Sequence, residues 1–160
     1  MLLGQLAFAQ NELSVQNYFE IGKTQLASGS YKESIAYLDK AIKLKPDYSE
    51  AYFTRGNAKA RSKDNKGAIA DYTKAIRLNP EYVEAYEARA AIRIKNNDMR
   101  GAVGDYSKLI ELKPIDSEAY VNRGIIKSDL GDYKGACIDW HKAQELGDTK
   151  ISKAIKKNCK

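Results

Sequence analysis

The sequence is poor in the residues that most often carry chemistry. It holds one histidine, two cysteines and three prolines in 160 residues. A single histidine leaves almost no room for imidazole catalysis or His-based metal binding, and no partner constellation accompanies it. Two cysteines are too few for a disulfide-built scaffold or a Cys-based structural zinc site. Three prolines and eleven glycines exclude collagen-like and low-complexity chains. No uncharged run approaches the roughly 18 residues that a spanning helix needs. Neither phosphate-cradling glycine pattern, G-x-x-x-x-G-K-S/T or G-x-G-x-x-G, occurs, nor does H-E-x-x-H or C-x-x-C. Asp129, Asp132 and Gly135 superficially outline a calcium loop, but the spacing is wrong and no glutamate closes it. No catalytic residue, cofactor, metal or small-molecule substrate is therefore expected. What is present is 43% apolar residues, enough to bury a core, and a net charge of +6.

The informative feature is a repeat. Pro46, Pro80 and Pro114 are 34 residues apart, as are Tyr18, Tyr52, Tyr86 and Tyr120. Ser30, Asp64, Asp98 and Asp132 follow the same period. The repeats run 15–48, 49–82, 83–116 and 117–150, after a leader at 1–14. Each reads as two helices. Tyr52, Arg55, Gly56 and Lys59 make one helical stripe, and Ala68, Tyr72, Ala75 and Ile76 another, across a break at Ser62–Asp64. Asp64 is placed to cap the second helix, and Ser30 with Glu33 reads as a capping box. Gly29 and Gly131 precede two of these caps, where a left-handed residue ends the preceding helix. Small residues (Gly22, Gly56, Ala90, Gly124; Ser34, Ala68, Ala102, Ala136) let the two helices approach. Large ones (Leu38, Tyr72, Tyr106, Trp140) fill the space beside them. One hairpin cannot bury both its faces, so the repeats must stack into an all-α solenoid.

The pattern resembles the tetratricopeptide repeat family. Repeat 2 carries the family's aromatic, small, alanine, aromatic, alanine and proline set complete, as Tyr52, Gly56, Ala68, Tyr72, Ala75 and Pro80. Repeat 1 departs at Ser34, repeat 3 at Leu109 and repeat 4 at Asp148. Leu109, larger than the usual alanine, should push its two helices slightly apart. The resemblance implies a right-handed superhelix whose first helices line a concave groove. The ligand-facing places it implies are Phe19 and Lys23; Glu50, Phe53, Asn57 and Arg61; Glu84, Glu87, Ile94 and Lys95; and Val121 and Ile125. The groove should have an acidic edge, from Glu50, Glu84, Glu87 and Glu118, and a patchily basic one, from Lys23, Arg61 and Lys95. For Phe19 and Phe53, packing between adjacent first helices is the alternative to a ligand-facing role. The family's carboxylate clamp of lysines and asparagine is not matched, because acids stand where the third repeat's cations should be.

The function expected is thus a non-catalytic scaffold that binds a protein or peptide partner in the groove, with self-association left open. The alternative is that the basic back contacts nucleic acid or anionic lipid. Lys40, Lys74, Lys108 and Lys142 form one ladder there, and Lys32, Lys66, Arg100 and Lys134 another. Nucleic acid is not the expected partner, since no aromatics interleave with these lysines. His141 stands in the place of Asp39, Thr73 and Ser107 and reads as outward-facing.

Three further expectations concern the frame. Arg55, Arg89 and Arg123 occur with Asp71, Asp105 and Asp139, whereas repeat 1 has Ile21 and Tyr37. Arginine and aspartate therefore come together or not at all, which predicts the pairs Arg55–Asp71, Arg89–Asp105 and Arg123–Asp139. Residues 149–158 predict a capping helix with an Ile151, Ala154 and Ile155 stripe, the tail ending at 160. Cys137 and Cys159 lie about equally far from the intervening turn, so antiparallel helices would bring them level for a disulfide; a buried Cys137 with a free Cys159 is the alternative. Residues 1–9 end in Ala7-Phe8-Ala9, as before a secretory cleavage site, though without a basic start. Together with the disulfide this predicts a periplasmic or otherwise exported protein, with the cytoplasm as the alternative.

Overall fold

The computed structural model describes residues 14–159, so all but Ser14 of the leader expected at 1–14, the cleavage pattern at 1–9 included, lies outside the described residues. The chain forms α1 (Val15–Ala27), α2 (Tyr31–Leu44), α3 (Ser49–Arg61), α4 (Asn65–Leu78), α5 (Val83–Lys95), α6 (Met99–Leu112), α7 (Ser117–Asp129), α8 (Tyr133–Glu145) and α9 (Ser152–Asn158). There is no strand among the described residues. The helices pair as α1–α2, α3–α4, α5–α6 and α7–α8, one antiparallel hairpin per 34-residue unit.

Local chemistry sets the boundaries. The Ser14 hydroxyl accepts from Asn17 N at 3.1 Å. Asp64, Asp98 and Asp132 accept from the amides of Gly67, Gly101 and Gly135, each at 2.9 Å. Aspartate and glycine go together here for a steric reason: a Cβ on Gly67 would fall 2.1 Å from Asp64 Oδ2. Repeat 1 has Glu33 in the glycine's place, and Ser30 caps nothing with its side chain. The expected capping box is thus not formed; the Ser30 hydroxyl accepts from Ser28 Oγ at 3.3 Å instead. Gly29 and Gly131 take the left-handed conformation (φ 83° and 84°), and Lys63 and Asn97 take it at the matching breaks.

The hairpins close on the small residues. A Cβ on Gly56 would sit 2.7 Å from Tyr72 Cε1, one on Gly22 2.7 Å from Leu38 Cγ, and one on Gly124 2.5 Å from Trp140 Nε1. Leu109 is buried where the other repeats carry Ala41, Ala75 and Ala143. Tyr106 is half-buried, where Tyr72 and Trp140 are buried.

All three predicted Arg–Asp pairs form within their repeats. Arg55 holds Asp71 through Nε (2.8 Å) and Nη2 (2.6 Å), and Arg123 holds Asp139 through Nε (2.9 Å) and Nη2 (2.6 Å). Arg89 Nη2 lies 2.6 Å from Asp105 Oδ1. Each aspartate also meets a second cation that the sequence reading missed: Lys59 on Asp71 (2.8 Å), Arg93 on Asp105 (2.7 Å) and Lys127 on Asp139 (2.8 Å). Each arginine reaches one repeat back as well. Arg55 pairs with Asp39, Arg89 donates to Thr73 Oγ1 (3.0 Å), and Arg123 donates to Ser107 Oγ (3.0 Å). The clasp therefore ties hairpin to hairpin as well as helix to helix.

At the C-terminal end α9 begins at Ser152, later than the expected 149. Asp148 Oδ1 accepts from the amides of Lys150 (2.8 Å) and Ile151 (3.2 Å), which holds the entry as a turn. Ile151 and Ile155 pack on Ala136 and Trp140 and cover the last apolar face. Cys137 and Cys159 are joined by a disulfide, their Cα atoms 5.6 Å apart.

Candidate functional groove

The helices decide where a groove lies. α1 touches α3 and α3 touches α5, whereas no Cα of α2, α4, α6 or α8 comes within 8 Å of another of that set. The first helices of repeats 1–3 converge and the second helices splay, so the stack curves there with the first helices on its inner side. The expected residues divide into two groups on that side. Lys23, Glu50, Arg61, Glu84, Glu87, Lys95 and Ile125 are exposed, while Phe53, Asn57, Ile94 and Val121 are half-buried.

Phe19 departs from the ligand-facing expectation. It is 7% exposed and stacks on Tyr48 with ring centroids 4.8 Å apart, while Lys23 Nζ lies 5.2 Å from the ring centroid. The tyrosine that ends repeat 1 folds against Phe19 and removes it from the surface. Phe53 is held the same way, 4.9 Å from Tyr82 and 5.8 Å from Tyr72. Asn57 is engaged too: its Oδ1 accepts from the Tyr72 hydroxyl at 2.8 Å. Ile94 packs on the Ala90, Ala102 and Ile126 cluster, and Val121 on that of Trp140 and Ile151.

The remaining exposed groups give the inner surface its charge. Glu50, Glu84 and Glu118 open α3, α5 and α7 from one repeat-equivalent place. Their field is felt by the phenols beside them. Burial, then Glu50 and Glu84, push Tyr82 up to about 12. Burial, then Glu118 and Glu87, raise Tyr106. Burial is also the main cause that raises the Glu87 carboxyl. Lys113 opposes it, and Glu84, Asp116 and Glu118 add to it. A cavity of about 250 Å³ opens at this place, lined by Glu87, Tyr106, Leu109, Asp116, Glu118, Ala119 and Asn122.

The back is less free than its ladder of lysines implies. Lys40 Nζ lies 5.4 Å from the Tyr18 ring and 5.5 Å from the Tyr37 ring, and Lys74 Nζ 5.7 Å from the Tyr52 ring. Lys108 pairs with Glu111 and Lys142 with Glu145. The other ladder, Lys32, Lys66, Arg100 and Lys134, is exposed. His141 is exposed as well. Among the described residues no group of three or more His, Cys, Asp or Glu side chains could hold a metal ion.

Several of these features had sequence signals. The second cations Lys59, Arg93 and Lys127 recur at the 34-residue period alongside the arginines. Asp–Gly pairs three residues apart occur in repeats 2–4 and are absent from repeat 1. The exchange of Tyr48 and Tyr82 for Asp116 matches that of Phe19 and Phe53 for Glu87.

The Tetratricopeptide repeat family profile matches residues 19–83 and 53–114. A search of curated proteins finds no match. Among solved structures, a crystal structure of MamA is 28% identical, with a TM-score of 0.77 over 86% of this chain and 80% of that one. The first repeat domain of Spaghetti (RPAP3), bound to the HSP90 peptide SRMEEVD, is also 28% identical, with a TM-score of 0.68 over 74% of this chain and 94% of that one. A repeat protein from Parabacteroides merdae shares the fold at 21% identity and a TM-score of 0.77, over 84% of this chain and 54% of its own.

Proposed function

The chain belongs to the tetratricopeptide repeat family, and we propose that it is a non-catalytic scaffold that binds a protein or peptide segment along the inner face of its first helices. The observation that carries this reading is that Lys23, Glu50, Arg61, Glu84, Lys95 and Ile125 are exposed on the first helices, beside half-buried Phe53, Ile94 and Val121. A surface that mixes apolar contact with charge suits a segment of polypeptide. The RPAP3 domain, similar in fold and 28% identical, is a peptide-bound relative that supports the same use.

The test compares two variants of the full chain as bait. Glu84→Lys with Ile125→Asp alters the wall; Lys66→Glu with Arg100→Glu alters the back. Capture of cellular partners should fall at least ten-fold for the wall variant and stay within two-fold for the back variant. The reverse pattern would transfer the binding role to the basic back.

The disulfide favours an oxidising compartment, because such bonds seldom persist in a reducing cytosol. We therefore place the working protein outside the cytoplasm. Intact mass after alkylation without reductant, on protein taken from its native source, checks this. Two alkylated thiols would remove the placement.

A further inference from the structure

The inner wall is not built the same way along its length. At the first two junctions an aromatic pair plugs the space between repeats, Phe19 on Tyr48 and Phe53 on Tyr82, with ring centroids 4.8 and 4.9 Å apart. At the third junction the equivalent residues are Glu87 and Asp116. No plug forms there. The wall opens instead: no Cα of α5 lies within 8 Å of one of α7, although α1–α3 and α3–α5 are in contact. Asp116 has also exchanged the tyrosines' role for another, since its side chain caps α7 by accepting from Glu118 N at 3.0 Å.

We infer that the wall takes a segment of a partner protein, and that the opening between repeats 3 and 4 is a socket for one lysine or arginine side chain of that segment. The inference rests on the inner wall being the binding face. The socket's size is the first argument. Its volume of about 250 Å³ falls below the roughly 300–1,000 Å³ of pockets that hold drug-sized molecules, and suits a single side chain. Its lining is the second. Tyr106, Leu109 and Ala119 offer an apolar floor for a methylene stem, and Glu87, Asp116 and Glu118 offer carboxylates for a charged head. Carboxylates with no convergent metal geometry suit a cation carried on a flexible chain better than a bare metal ion.

Charge complementarity at the socket is the third argument. Lys23, Arg61 and Lys95 are exposed elsewhere on the first helices, whereas Glu84, Glu87 and Glu118 are exposed around the opening, with Lys113 the cation that acts on Glu87. A partner chosen by the bulk charge of +6 would be acidic, whereas the socket selects the opposite sign. An acidic peptide such as SRMEEVD would meet repulsion here.

The experiment titrates the isotope-labelled full chain with the blocked peptide Ac-Leu-Ser-Lys-Ser-Leu-NH2, followed by amide chemical shifts. The same peptide with norleucine or glutamate replacing lysine serves as comparison. Saturable shifts should centre on Glu87 and on residues 116–122. Lysine should bind at least ten-fold tighter than norleucine, and the glutamate peptide should give no shift there. Glu87→Gln with Glu118→Gln, conservative and on exposed residues, should reduce the lysine preference at least five-fold. Glu87→Phe with Asp116→Tyr, which rebuilds the aromatic pair of the other junctions, should abolish binding in a chain whose spectrum remains folded. Equal binding of the lysine and norleucine peptides along Glu50 to Ile125 would remove the socket and leave the wall as a binding face. Shifts confined to Lys66 and Arg100, or none from any peptide, would overturn both. Saturation of the same amides by calcium chloride, at lower concentration than by the lysine peptide, would replace the socket with a metal site.

Discussion

Repeat 1 and repeats 2–4 solve one problem with opposite chemistry. In repeats 2–4 a buried aspartate is clasped between two cations of the first helix, and the arginine also reaches the previous repeat. In repeat 1, Ile21, Gln25 and half-buried Tyr37 stand in the same places. Tyr37 lies 6.4 Å from Tyr18 between ring centroids, with Lys40 over both rings. The comparison teaches that the ion clasp serves the junctions between the described repeats. Where its arginine and aspartate are both missing, aromatic contact takes over.

The largest expected effect breaks the clasp. Asp105 is 2% exposed, and Asp105→Ala would leave Arg89 without its counter-charge and Arg93 with Asp98 alone, at a cost of about 3–5 kcal/mol. Urea unfolding checks this through a lowered midpoint. A sharper form copies repeat 1 into repeat 3 with Arg89→Ile, Arg93→Gln and Asp105→Tyr. Apolar replacement of a whole buried ion group is often tolerated, so the triple variant should recover most of the loss. No recovery would show that repeats 2–4 cannot use the solution of repeat 1.

The second effect concerns the opposite end of the stack, which is stapled covalently. The disulfide closes a 22-residue separation and should contribute about 3 kcal/mol by the chain-entropy estimate. Cys159→Ser should lower the melting temperature in oxidising buffer and change little once reductant is present. Equal melting in both buffers would mean that Ile151 and Ile155 hold α9 by themselves.

Third is the cap. Asp64→Ala should cost about 1 kcal/mol, because its carboxylate accepts from Gly67 N. Ser30→Ala, at the equivalent place in repeat 1, should cost distinctly less, since that hydroxyl caps no amide. Parallel denaturation curves compare the two.

The smallest effect is electrostatic. The Glu87 carboxyl is raised in the fold, by burial first and by Glu84, Asp116 and Glu118 after it. A raised acid binds its proton more tightly folded than unfolded, so its contribution to stability falls as pH rises through the carboxylate range. Glu87→Gln should therefore melt slightly higher than the parent at neutral pH. The gain should vanish below the carboxylate range, where the parent's Glu87 is protonated. A gain that persists in acid would assign the effect to packing.

Features that recur were legible in the sequence because equivalent residues repeat the same experiment four times. The helix pairs, the small residues at their crossings and the Arg–Asp co-occurrence all show against that period. Legibility failed where a residue's neighbour comes from outside its own helix. Phe19 looked ligand-facing because its helix face is right; its burial depends on Tyr48, which belongs to the turn into the next repeat. Asn57 likewise looked free, but its amide oxygen accepts from Tyr72. The Ser30 box looked sound by spacing alone, yet the Ser30 side chain caps no amide of α2.

By itself, then, the sequence determined the period, the all-α hairpins, the places of close approach and the charge signs that must meet within a repeat. These depend on residues a few turns apart on helices whose registry the 34-residue spacing dictates. Tertiary structure decided which of the inner residues remain open to a partner. That depends on how each repeat's last residue folds back over its own first helix, and on how far neighbouring first helices stand apart. Phe19 packs on a tyrosine ring within a buried cluster, whereas Glu87 and Asp116, in the equivalent places, line an open cavity.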